Sequence, residues 1–126
     1  MTVTFPRIVL AINAAIFTGF GLWALADPVG LVALVDVAAP TPTARADVRA
    51  TYAGFVLGFT LFLWLCVRKP EWCAAGNAAS GFALTGFALA RVLSAALDGP
   101  VNPMLLALAG GEAVGAIMAF VAWRKG

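Results

Sequence analysis

The sequence predicts an all-α fold: an integral membrane four-helix bundle with both termini in the cytoplasm. Three observations carry that expectation. Of the 126 residues, 63% are hydrophobic and 11% are charged, against about 25% charged in an ordinary soluble domain, and the mean hydropathy is +0.98. At about 20 residues per crossing, the length accommodates four spans in a single domain and no separate soluble one. The charges, finally, segregate to two sides of such a bundle. This composition excludes an ordinary soluble protein, a disordered chain and a nucleic-acid binder; a net charge of +2 makes no nucleic-acid surface. With no histidine, His-ligated haem, His-based zinc sites and Ser-His-Asp hydrolysis are excluded as well. No metal or nucleotide motif is present, so no cofactor is expected.

The first span, residues 8–26, contains no charge and is stopped by Asp27-Pro28. It lacks a strongly basic leader and is longer than a signal-peptide core, so it reads as a retained helix. The short apolar segment 29–37 fits an amphipathic turn on the membrane surface or a short helix covering the bundle mouth, the second being favoured. The second span, 44–67, follows Pro40-Thr41-Pro42-Thr43, with Thr43 as the expected N-cap. It ends at Arg68-Lys69-Pro70. The third, 72–97, ends before Asp98-Gly99-Pro100. The fourth, 103–123, opens on Pro103, which suits a first helical turn, and closes at Trp123-Arg124-Lys125.

Arg7, Arg68, Lys69, Arg124 and Lys125 share one side with a single acid, Glu71. Asp27, Asp36, Asp47 and Asp98 lie on the other, with Arg45, Arg49 and Arg91 inside or at helix ends. The positive-inside rule places the first side in the cytoplasm. Trp64, Trp72 and Trp123 fall at that interface and Trp23 at the outer one. Cys66 and Cys73 flank the 68–71 loop as two reduced thiols. Gly54-x-x-x-Gly58 and Gly111-x-x-x-Gly115 match a close-packing pattern. Packing within the chain is the favoured reading, and a homodimer face is the alternative.

The few polar groups inside the spans mark the candidate site. Counting at 1.5 Å per residue from the cytoplasmic boundary puts Glu112 about 18 Å deep, Tyr52 about 24 Å, and Arg49 and Arg91 about 28 Å. A lipid-facing charge at mid-membrane costs about 2.5–3.5 kcal/mol, so Glu112 is expected to face the bundle interior. Arg49 and Tyr52, three residues apart, share a face. The expected site is therefore Arg49, Tyr52, Arg91 and Glu112, open toward the outer side, with an axial gap of about 10 Å between Glu112 and the arginines. Asp47 and Asp98 stand at its rim as ligand contacts. Asn13 is a further ligand-contact candidate, though an interhelical hydrogen bond is its favoured role. Thr18, Thr60 and Thr85 are expected to bond their own helices.

The string Asp47-Val48-Arg49-Ala50-Thr51-Tyr52-Ala53-Gly54 resembles the D-x-R-A-x-Y-x-G signature of a bacterial membrane family known as domain of unknown function 4345. Arg91 and Glu112 also resemble family positions, and the likeness covers nearly the whole chain. The resemblance implies a four-helix bundle, similar in organisation to the DoxX-like proteins, in the bacterial inner membrane. It implies no activity.

Such a site suits a protein that binds, and by acid–base chemistry converts, a lipophilic small molecule. Glu112 is then the proton carrier, Arg49 or Arg91 stabilises an anion or carbonyl oxygen, and Tyr52 donates a hydrogen bond. Two alternatives stay open. One is a structural or accessory subunit of a membrane complex, in which the ion pair only fixes the bundle. The other is a proton-coupled small transporter, against which the adjacent arginines count. The expected partners are the lipid bilayer, a lipophilic ligand and a second copy of the chain, with no nucleic acid.

Overall fold

The computed structural model describes residues 2–126. Among them the order is α1 (Phe5–Ala26), α2 (Pro28–Ala33), α3 (Pro42–Val48), a π-helical segment (Arg49–Phe55), α4 (Val56–Arg68), a 3-10 turn (Pro70–Trp72), α5 (Cys73–Asp98) and α6 (Pro103–Lys125). No described residue lies in a strand. Four helices are long and apolar enough to cross a membrane: Phe5–Ala26, Pro42–Arg68, Pro70–Asp98 and Pro103–Lys125. Each expected span lies inside one of them. The first, at 22 residues, is about 33 Å long, a match to a hydrocarbon core of about 30 Å.

Helix starts follow from local chemistry. A proline stands in the first turn of α1, α2, α3 and α6, where its missing N–H costs nothing. The Asp27 carboxylate caps α2 by accepting from Gly30 N at 2.9 Å, and Asn102 Oδ1 caps α6 by accepting from Met104 N at 2.9 Å. The N-cap before the second span is Thr41, whose hydroxyl accepts from Ala44 N at 3.1 Å, and not Thr43. Pro42 explains the correction: it takes the first helical position and leaves the cap to the residue before it. At the other terminus of α5, Gly99 adopts φ +96°, a conformation that favours glycine.

The four long helices alternate in direction. Both chain ends and the Pro70–Trp72 turn meet at one end: Lys125 Nζ stands 5.1 Å from the Phe5 ring, and Arg7 Nε donates to Val67 O at 2.8 Å. There Leu10, Ala14, Leu63 and Cys66 form a buried cluster. Gly76 lets α5 approach it; a Cβ added there would stand 2.7 Å from Cys66 Cβ and 2.8 Å from Leu10 Cδ2. Asn77, fully buried, donates from Nδ2 to Pro6 O at 3.0 Å and to Cys73 O at 3.1 Å, tying α5 to the start of α1. Both cysteines are free thiols.

The opposite end is covered by α2 and the loop after it. Leu31 packs with Ala24 and Ala53, Val32 packs with Ala39 and Val48, and Tyr52 touches both groups. Arg45 Nη1 donates to Pro40 O at 3.1 Å, and Asn102 Nδ2 donates to Leu34 O at 3.2 Å. The segment is thus a short helix over the bundle mouth, held by burial on one side and by polar ties on the other.

The glycine pairs behave differently from the packing reading. A Cβ on Gly58 or Gly111 would meet nothing within 4 Å, and one on Gly54 would meet only the Arg49 carbonyl of its own segment. Gly115 alone of the four faces another helix, 3.0 Å from Leu84 Cδ1. The reason is placement: Gly54 and Gly58 lie on the outer face of their helix, beside the exposed Phe55 and Leu61. Large apolar side chains point outward on every long helix, among them Ile16, Leu61, Leu89 and Ile117.

Candidate functional site

Helices α5 and α6 form a hairpin joined by residues 99–102, and this hairpin builds the site. Arg91 stands seven residues before Asp98, and Glu112 nine residues after Pro103. Their backbones are therefore within about 3 Å of the same level. Arg91 Nε donates to Glu112 Oε1 at 2.7 Å, the short distance of a charge-assisted bond. The side chains are 22% and 14% exposed.

The pair is single-pronged. Glu112 Oε2 is buried and has no hydrogen-bond partner. One turn on, Gly115 lies on the same face of α6. A Cβ there would stand 3.5 Å from Asn13 Oδ1, which places the Asn13 side chain of α1 on this seam. Asn13 Nδ2 is likewise buried without a partner. The expected interhelical bond of Asn13 is not made among the described residues. Glu112 thus carries an orphaned acceptor, and Asn13, beside Gly115 one turn along α6, an orphaned donor. Natural interiors leave few polar groups in this state, and such groups call for an explanation.

Arg49 and Tyr52 do not join the pair. Arg49 is exposed, and its Nε donates to Leu25 O at 3.0 Å, supplying a cation to the C-terminus of α1. Tyr52 packs beneath α2, its ring 6.2 Å from that of Phe20. Both sit in the π-helical segment, whose i→i+5 winding departs from the α-helical register assumed for them. The segment rests on α1, α3 and α4, so the two side chains face that half of the bundle. Asp47 and Asp98 are exposed and make no ion pair among the described residues. Thr18, Thr60 and Thr85 bond the carbonyl four residues back at 2.7, 2.8 and 2.7 Å, as expected of hydroxyls in apolar helices.

Two surface grooves lie at the end carrying the termini and not at this pair. One of about 360 Å³ runs between α1 and Val67; the other, about 380 Å³, lies among Thr2, Arg7, Glu71 and Lys125. The Asn77 staple and the double role of Asn102 were not expected from the sequence. The second was legible: an asparagine directly before a first-turn proline is a strong N-cap signal. Asn77 carried no such signal, since its value depends on Pro6 being opposite.

Chemically, a carboxylate with one oxygen fixed by a guanidinium and the other bare is set to receive a hydrogen-bond donor or a proton. A family model described as a domain of unknown function (DUF4345) matches residues 5–123. No curated protein and no solved structure matches the chain.

Proposed function

We propose that this chain, which belongs to the DUF4345 family, is a multi-pass protein of the bacterial inner membrane that holds a lipophilic small molecule against the Arg91–Glu112 pair, with Glu112 as proton carrier. Membrane placement is supported by the four apolar helices and their outward-facing apolar side chains. Orientation is supported by the positive charge at the end carrying both termini, which favours the cytoplasm for that end.

The observation that carries the functional reading is the bare Oε2 of Glu112. An arginine kept only to fix two helices would grip both carboxylate oxygens, as bidentate pairs commonly do. A buried polar group left unsatisfied costs about 1–3 kcal/mol, and more when charged. Replacing a buried ion pair by apolar residues is often neutral or stabilising. Stability alone is therefore a poor reason to keep this arrangement, whereas a ligand or proton on Oε2 accounts for it. The partial exposure of both side chains offers an approach from the surrounding hydrocarbon.

The test is extraction. Protein purified from membranes carries a lipophile enriched over the bulk lipid extract by mass spectrometry. Glu112→Gln loses that enrichment while keeping its helical circular dichroism. Should Glu112→Gln raise the melting temperature with no lipophile enriched on either protein, the pair is structural and the proposal fails.

A further inference from the structure

We propose that the groove between α1 and α4 seats one acyl chain of an anionic phospholipid, whose phosphate is held at the groove's mouth by Arg7 and Arg68. The inference rests on the membrane placement above and not on a ligand at Glu112.

The groove has a tail end and a head end. Its volume is about 360 Å³, and Ile8, Ala11, Ile12 and Ala15 of α1 line it together with Val67 of α4. Apart from Arg7, every side chain lining it is apolar. Ala11 and Ala15, one turn apart, share a face and leave a trough beside the larger Ile8 and Ile12. Those two isoleucines are 46% and 54% exposed, so the trough opens on the surroundings of the bundle and not on its core. From Arg7 to Ala15 it follows α1 for about 12 Å, close to the depth of one leaflet in a hydrocarbon core about 30 Å thick.

The head end is cationic. Arg7 Nε donates to Val67 O at 2.8 Å, which fixes the side chain across the ends of the two helices. Arg68 follows Val67, is exposed and makes no ion pair among the described residues. Two further cations lie against rings: Lys69 Nζ is 4.6 Å from the centre of the Trp72 ring, and Lys125 Nζ 5.1 Å from that of Phe5. The one acidic side chain at this end, Glu71, lines the other groove.

Headgroups separate by charge and level. A zwitterionic lipid brings a cation of its own into a positive field. A fatty acid carries its charge on the end of the chain itself, whereas Arg68 stands at the boundary, where a phosphodiester lies one glycerol further out. A phosphate there is the acceptor that a guanidinium matches well. Soluble phosphate esters offer the same acceptor without a tail, and the experiment separates the two sources.

The experiment uses the full chain in detergent micelles with equimolar dioleoyl phosphatidylglycerol and dioleoyl phosphatidylcholine, bound lipid being read by native mass spectrometry. Phosphatidylglycerol is expected to be retained about tenfold over phosphatidylcholine, and Arg68→Gln to lower that ratio about fivefold, the share of one basic residue at an anionic lipid surface. Arg7→Gln does the same where it folds. Ala15→Phe, at an exposed position, fills the inner end of the groove and lowers phosphatidylglycerol retention about tenfold, as the loss of about two buried methylenes gives. Excess glycerol 3-phosphate displaces nothing, and Glu112→Gln leaves the ratio unchanged.

Equal retention of the two lipids by the wild type overturns the proposal. A ratio untouched by Arg68→Gln, or retention untouched by Ala15→Phe, overturns the assignment to this groove. Tighter binding of added oleate overturns the phospholipid, and displacement by glycerol 3-phosphate overturns the part given to the tail. Flotation with vesicles of the same lipids after an alkaline wash checks membrane placement separately. A chain that floats and shows no preference overturns this inference alone; one that does not float overturns both.

Discussion

At the residue scale, the Arg91–Glu112 contact is governed by what happens to the partner left behind. Arg91→Met strands a carboxylate that is 14% exposed. Breaking a fully buried pair costs about 3–5 kcal/mol; the partial exposure here reduces the expected loss to about 2 kcal/mol. The double replacement Arg91→Met with Glu112→Leu removes both charges and returns stability to within about 1 kcal/mol of the wild type. Unfolding titrations in mixed micelles measure both values, and a double variant as unstable as the single one contradicts this account. Glu112 was legible in the sequence because one acid deep in an apolar span stands out by cost alone. Which of the two arginines it pairs with was not. Depths counted from the far boundary left about 10 Å between Glu112 and the arginines. Counting from the 99–102 turn, which the two residues share, leaves about 3 Å, and a guanidinium spans that with ease.

At the element scale, small residues divide by what stands opposite them. Gly76 faces Cys66 and Leu10 inside contact distance, and Gly58 faces nothing within 4 Å. Gly76→Val is therefore expected to destabilise by about 1–3 kcal/mol through overpacking. Gly58→Ala is expected to be neutral or stabilising by up to about 1 kcal/mol through helix propensity. Melting in detergent distinguishes them, and a strongly destabilising Gly58→Ala would mean that another surface covers that face. The four spans were readable because apolar runs bounded by Pro, Asp and Arg-Lys have few alternatives. The π-helical turn at Arg49–Phe55 was not readable, since its composition is that of any helix. Arg49 and Tyr52, expected beside Glu112 on an α-helical register, instead meet α1 and the α2 cover.

At the scale of the whole molecule, charge and topology make one prediction. Single cysteines at Lys69 and Val37, both exposed, in a chain with Cys66 and Cys73 changed to Ala, are expected to report opposite compartments. A membrane-impermeant maleimide added to intact cells labels the Val37 position and spares the Lys69 position. The reverse pattern overturns the assignment of the termini to the cytoplasm. Asn102 acts at this scale too. Its Oδ1 starts α6 and its Nδ2 holds Leu34, so one side chain joins the opening turn of the Glu112 helix to the cover laid over the first half of the bundle. Fraying of that turn and lifting of the cover are then one mechanical event: whatever pries α6 loose at its start also unroofs Tyr52, some distance from any charge.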